Sequence, residues 1–131
     1  MPNLPALGFF NTLNKVTAEE IFEKKEWFEW QNKRFMNWFL KLGKLRDEVL
    51  FGDVWEQPEL SKRDRSLVTC SVLAALYRTP ELEGHLERAL DNGVSIDELK
   101  GMITHVAFYS GWPTAVNAGR VLQKILEKME N

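Results

Sequence analysis

His85 and His105 are the two imidazoles of a 131-residue sequence, and an unperturbed pKa of about 6.5 suits that side chain to proton transfer near neutrality. His85 falls inside an apolar helical stripe between Leu82 and Ala89. Placed there, it is either a sheltered proton donor or a core histidine bonded to a carbonyl. Glu98, His105 and Tyr109 follow one another at seven and four residues, which sets all three along one helix face, with Gly101 on the same line. A glycine there would let another backbone or a ligand come close, offsetting a helix penalty of about 1 kcal/mol. The same spacing also describes the polar margin of an amphipathic helix. Arg63 and Arg65 flank Asp64 at a helix start, where free amides and the helix dipole favour an anion. A guanidinium there can grip a carboxylate with two hydrogen bonds or pair with an acidic neighbour on the surface. Cys70, deep in an apolar helix with no cation within one turn, reads as a core residue and not a nucleophile. The histidines and carboxylates show no metal-binding spacing, so no metal is expected.

These residues need a frame, and Ser61 to Pro113 supplies it as three helices with clear boundaries. Ser61-Lys62-Arg63-Asp64 opens the first, and Thr79-Pro80 opens the second, which closes at Asn92-Gly93. Ser95-Ile96-Asp97-Glu98 opens the third, which runs to Gly111-Trp112-Pro113. Leu67, Val68, Cys70, Leu73, Ala74 and Leu76 make the first mostly apolar and therefore buried. The third turns Leu99, Met102, Ile103, Val106 and Tyr109 inward, with His105 at their edge. A final helix extends from Pro113 to about Met129. Upstream, residues 1–16 read as an extended arm carrying Phe9-Phe10. Thr17-Ala18-Glu19-Glu20 forms a capping box for a helix running to Leu42, with Gly43 as its stop. Trp27, Phe28, Trp30, Phe35, Trp38 and Phe39 give that helix an aromatic band wider than one core-facing stripe requires. Such a band is either a subunit interface, where aromatic residues concentrate, or a helix buried from two sides within one subunit. Arg46 to Phe51 adds a short helix closed by Gly52, and Asp53 to Leu60 is a connector shaped by Pro58. Without a period-two segment or hairpin dipeptide, the expected fold is all-α, a single-domain bundle of about five to six helices.

The totals narrow the function. Seventeen basic and nineteen acidic side chains leave a net charge of −2, which argues against a nucleic-acid or membrane-surface protein. A single cysteine excludes an internal disulfide framework and fits a cytoplasmic location. No apolar run approaches the ~20 residues of a membrane span.

Several motifs then occur together: Phe51-Gly52-Asp53-Val54-Trp55, Arg63-Asp64-Arg65-Ser66-Leu67-Val68-Thr69, His85-Leu86 leading to Asn92-Gly93-Val94, and Tyr109-Ser110-Gly111-Trp112-Pro113. In this order and spacing, from about Phe51 to Leu126, the chain resembles the carboxymuconolactone decarboxylase family. That family is related to alkylhydroperoxidase D-like proteins, whose redox motif is CxxCxxxH. The matching positions are Arg78, Glu81 and His85, so the histidine is kept and both cysteines are replaced. The resemblance therefore implies the decarboxylase branch, not a dithiol peroxidase. It implies an all-helical trimer or hexamer and a cofactor-free lyase of aromatic degradation that removes carbon dioxide from a small anionic lactone and protonates carbon. In that reading His85 and His105 are the catalytic pair. Arg65, with Arg63 as second choice, binds carboxylate, and Glu98, Tyr109 and Trp112 complete the substrate site. The chain departs from the family pattern at Gln57 and Glu59, which replace the arginine and glycine of W-x-R-P-G, and at His105, where glutamine is usual. A peroxidase-like oxidoreductase and a non-catalytic helical assembly protein are the alternatives.

Overall fold

The computed structural model describes residues 33–34 and 38–131, and every element among them is helical, with no strand. The arm, the Thr17 capping box and most of the aromatic band, including Trp27, Phe28, Trp30 and Phe35, lie outside the described residues. The chain divides between Val54 and Trp55 into two units.

In the first unit, helix α1 spans Leu40–Leu45 and a π-helix spans Arg46–Phe51. Gly43 does not stop the helix. It lies inside α1, buried, with its amide donating to the Phe39 carbonyl at 2.9 Å. A glycine permits a left-handed stop without requiring one, and Gly43 does not take a positive φ, so the chain runs on into the π-turn. The stop comes at Gly52, where a β-carbon would sit 2.7 Å from the carbonyl oxygens of both Asp47 and Glu48. Trp38, Phe39 and Leu42, the described members of the aromatic stretch, are exposed.

The second unit is a bundle of four helices, α2 (Lys62–Ala75), α3 (Thr79–Asp91), α4 (Ile96–Ser110) and α5 (Trp112–Glu130), preceded by a 3-10 turn at Val54–Glu56. Local chemistry sets the boundaries. The Ser61 hydroxyl caps α2 by accepting from the Asp64 amide at 3.0 Å. Ser95 and Glu98 close a full capping box on α4: the hydroxyl accepts from the Glu98 amide, and the Ser95 amide donates to Glu98 Oε2 at 2.8 Å. Pro80 and Pro113 occupy first-turn positions, where a missing amide hydrogen costs nothing.

The core is assembled from one stripe per helix. Cys70 and Ala74 of α2 meet Leu82, Leu86 and Ala89 of α3, Leu99, Met102, Ile103 and Val106 of α4, and Ala118, Val121, Leu122 and Ile125 of α5. Along α2 the inward positions Ser66, Cys70 and Ala74 are all small, spaced by four, which lets the helix pack closely. The expectation that α2 is buried throughout is corrected here, because Val68, Val72 and Leu76 are exposed. Val68 and Val72 each lie two residues from Cys70, nearly half a helical turn round from it, so α2 carries an apolar stripe on each side. Polar contacts fix the helices against one another: Asn92 Nδ2 donates to the buried Ser66 hydroxyl at 2.9 Å and Asn117 Nδ2 to Thr79 Oγ1 at 3.0 Å. Lys128 holds Glu83 at 2.7 Å and Lys124 reaches it at 3.3 Å, and these bonds lower the carboxyl's pKa.

The same C-terminal device ends α2 and α3. At the end of α3, Gly93 (φ 95°) donates to Leu90 and Val94 donates to Ala89. At the end of α2, Tyr77 (φ 62°) donates to Ala74 and Arg78 donates to Leu73. Both are left-handed caps, one with the residue the geometry favours and one without it. Tyr77 is 58% exposed, so its ring contributes little packing. Tyr77→Gly therefore raises unfolding free energy in urea by about 1 kcal/mol, and unchanged or lower stability would contradict strain at this position.

Candidate functional site

The geometry around His85 is set by the turn before α2. Trp55, in the 3-10 turn, is 8% exposed although it lies in a polar connector. Its ring stacks beside the His85 imidazole, with centroids 6.4 Å apart and planes 29° apart. Arg88 lies one helical turn after His85 on the same face of α3, and its guanidinium carbon is 5.9 Å from the Trp55 ring centroid. A buried indole, a half-buried imidazole and a guanidinium thus share one place.

His85 is held below the ordinary histidine range, first by burial and then by the positive charge of Arg88. Its Nδ1 is buried and has no hydrogen-bond partner among the described residues. An unpaired acceptor is tolerated better than an unpaired N–H, so the neutral ring carries its hydrogen on Nε2. The side chain at rest is a neutral imidazole with one N–H to offer.

The other expected site residues fall into three places. Arg63 and Glu98 are brought together across α2 and α4, and Arg63 also holds Asp64 at 3.0 Å. The Glu98 carboxyl is lowered chiefly by the Ser95 amide, and the Arg63 guanidinium is raised chiefly by its bond to Glu98. Both side chains are thus engaged with each other. Arg65 donates from Nη2 to the Gln57 carbonyl at 2.9 Å, and its Nε is buried without a partner among the described residues. That bond ties α2 to the connector two residues after Trp55.

His105 and Tyr109 are neighbours, with ring centroids 4.7 Å apart, as their spacing of four predicts. Their common face, however, points away from the core of the unit. His105 is exposed, and Tyr109 is 81% exposed, which corrects its inward placement. Ala107 takes an inward position on α4 instead, together with Val106. Phe108, at 78%, and Trp112, at 67%, are exposed with them. Among the described residues nothing lies within 4 Å of a β-carbon built on Gly101, so none of them makes the close backbone approach that a glycine there would allow.

Cys70 is fully buried, and burial pushes its thiol pKa up to about 12. It is a core residue, as its apolar neighbours predict. Among the described residues no group of three or more His, Cys, Asp or Glu side chains is placed to hold a metal ion. Nor is any described helix long and apolar enough to cross a membrane.

Sequence reasoning missed Trp55 and Arg88 as partners of His85. Two signals were present. A tryptophan in the polar run Asp53 to Gln57 must bury its ring somewhere, and an arginine three residues after a histidine shares its helix face.

The sequence is 40% identical over 79 residues to 4-carboxymuconolactone decarboxylase of Acinetobacter baylyi, covering 60% of this chain and 59% of that protein. It is 34% identical over 82 residues to nitrosuccinic acid decarboxylase of Metarhizium robertsii, covering 63% of this chain and 57% of that protein. The chain thus spans a little over half the length of each of these relatives. The profile of the carboxymuconolactone decarboxylase family matches residues 41–124, a stretch that includes Trp55, His85, Arg88 and the whole of α2, α3 and α4, and the chain belongs to that family.

Proposed function

We propose that the chain is a decarboxylase of small dicarboxylic acids in which one carboxylate leaves from a carbon joined to an electron sink. The observation that carries this reading is the neutral, half-buried His85 imidazole beside Trp55, within the segment the family profile matches. Both relatives are named for such acids. In 4-carboxymuconolactone the departing carboxylate sits on a saturated carbon joined through an alkene to the lactone carbonyl. In nitrosuccinic acid it sits on the carbon that bears the nitro group. Breaking the C–CO2 bond sends its electron pair to the lactone carbonyl oxygen or to the nitro group, leaving a dienolate or a nitronate, which then takes a proton on carbon. The substrate supplies the electron sink, so this chemistry asks the protein for a proton donor and for stabilisation of the developing charge.

His85 fits the donor role through its surroundings. Burial and Arg88 keep it neutral at rest, and a bound dianion opposes the field of Arg88 and draws a proton onto the ring. The imidazolium then delivers that proton to the carbanion and returns to the neutral form. The peroxidase alternative is not favoured by Cys70, whose buried thiol does not form a thiolate at neutral pH.

The same reading takes the chain as a homo-oligomer, a trimer or hexamer. A second copy lying over Phe108, Tyr109 and Trp112 would cover a large aromatic surface and shelter His105, giving it access to a substrate. The purified protein is expected to release carbon dioxide from 4-carboxymuconolactone and to sediment at a multiple of 15.2 kDa. No release above the uncatalysed rate from either 4-carboxymuconolactone or nitrosuccinate would overturn the activity. Sedimentation as a monomer at micromolar concentration would overturn the assembly.

A further inference from the structure

The turn that carries Trp55 is fastened on two sides. Its ring lies against the His85 imidazole of α3, and the two residues that follow it are held by α2. Glu56 pairs with Lys62 at 2.8 Å, and the Gln57 carbonyl accepts from Arg65 Nη2 at 2.9 Å. Lys62 and Arg65, three residues apart, share one face of α2. The two contacts differ in weight. Both side chains of the Lys62–Glu56 pair are more than half exposed, and pairs of that kind contribute little. Arg65 is half-buried, and its bond is charge-assisted and made to the backbone of the connector itself.

We infer that Arg65 is a positioning residue for the proton donor: by holding the Gln57 carbonyl it keeps Trp55 seated beside His85, and it does not itself bind the substrate. Two observations favour this over the carboxylate-binding role that the family resemblance implies for it. Its Nη2 is committed to a backbone carbonyl. Its Nε is buried, so the guanidinium edge that carries Nε is closed to a solute while the connector is in place. The contacts run from α2 through the connector to α3. Trp55 covers one side of the imidazole, and burial is the first cause that keeps that ring neutral, ahead of the charge of Arg88. Release of Gln57 frees the turn, water reaches His85, and the ring loses both its neutrality and its fixed place. The inference rests on the decarboxylase reading for turnover, whereas the titration of His85 tests it independently of any substrate.

The test compares the full chain with Arg65→Met, Arg65→Lys and Lys62→Met, following the His85 ring by NMR across pH and the turnover of 4-carboxymuconolactone. In Arg65→Met, His85 titrates at higher pH than in the unmodified protein, towards the ordinary value of about 6.5. Burial and Arg88 are the causes that hold the ring down, so this shift reports lost cover and not a lost charge at position 65. In the same variant kcat falls by about 10- to 100-fold, the scale of a reacting group misplaced by about 1 Å, while KM stays within about twofold. Arg65→Lys, which keeps a donor for the Gln57 carbonyl, recovers part of both, and Lys62→Met changes neither. An unmoved His85 titration in Arg65→Met overturns the inference, as does an equal shift in Lys62→Met. A KM raised about tenfold, with kcat and titration unmoved, also overturns it and makes Arg65 the substrate's cation. If Arg65→Met does not fold, Arg65→Lys decides: a smaller shift in the same direction supports the role, and an unmoved titration overturns it. Absence of turnover by the unmodified protein overturns the decarboxylase reading alone, and the titration still decides the role of Arg65.

Discussion

His85→Ala lowers kcat on 4-carboxymuconolactone by about 10²–10⁴-fold, the range that a positioned acid or base contributes, with KM changed much less. The expected split follows from the roles. In the proposed reaction the imidazole acts on the carbon that changes, whereas affinity for the retained carboxylate rests with another group. A variant that folds normally and keeps the unmodified turnover would remove His85 from the reaction. The substitution also has a pH signature in stability. The folded-state pKa of His85 is lowered relative to the unfolded chain, so between the two values the unfolded chain binds more protons. Stability is therefore complete above the unfolded value of about 6.5 and falls as pH drops through it, levelling out only below the depressed folded value. In His85→Ala this component disappears, so urea midpoints measured across pH 5 to 8 show a flatter acid limb than the unmodified protein. An identical acid limb in both proteins would mean that the ring is not held neutral by its surroundings.

The helix boundaries were legible because capping is local chemistry. Ser61, the Ser95–Glu98 pair and Asn92-Gly93 all act within a few residues of themselves, and each stands where the sequence puts it. Gly43 misled because a glycine permits a left-handed stop without requiring one. On α4 the spacing of His105 and Tyr109 gave their mutual contact, but periodicity fixes which residues share a face and not which face meets the core. Helical spacing carries the stripe of Met102 and Val106 on to Tyr109, whereas the core side of α4 is filled by Leu99, Met102, Ile103, Val106 and Ala107. On α2 the count of apolar residues concealed a helix with two apolar sides. The pairing of Trp55 with His85 joins residues thirty positions apart through a turn that folds back onto α3. No local rule carries that information. The cost of burying a large ring pointed to a partner for Trp55 without naming it.

Trp55→Ala removes the ring that neighbours both His85 and Arg88, and under the proposed function the loss is expected in stability and activity together. Truncating a buried tryptophan to alanine costs about 3–5 kcal/mol, a large share of the roughly 5–15 kcal/mol that stabilises a domain. The ring is nearly inaccessible and lies between the connector and α3, so its removal leaves a cavity beside His85 that the backbone cannot easily close. Water entering that cavity relieves the burial that holds the imidazole neutral, and the His85 pKa moves back towards its ordinary value. Trp55→Phe separates the two effects. Phenylalanine keeps a flat apolar surface against His85 and so retains much of the stability, but it is a weaker platform for the Arg88 guanidinium than an indole. The expected order in urea is therefore unmodified protein, then Trp55→Phe, then Trp55→Ala. A loss below about 1 kcal/mol in Trp55→Ala would place it among surface substitutions and show that the ring does not anchor the turn to α3. With that anchor gone, the guanidinium and the imidazole would share only a helix, and a helix alone does not decide what lies above its side chains.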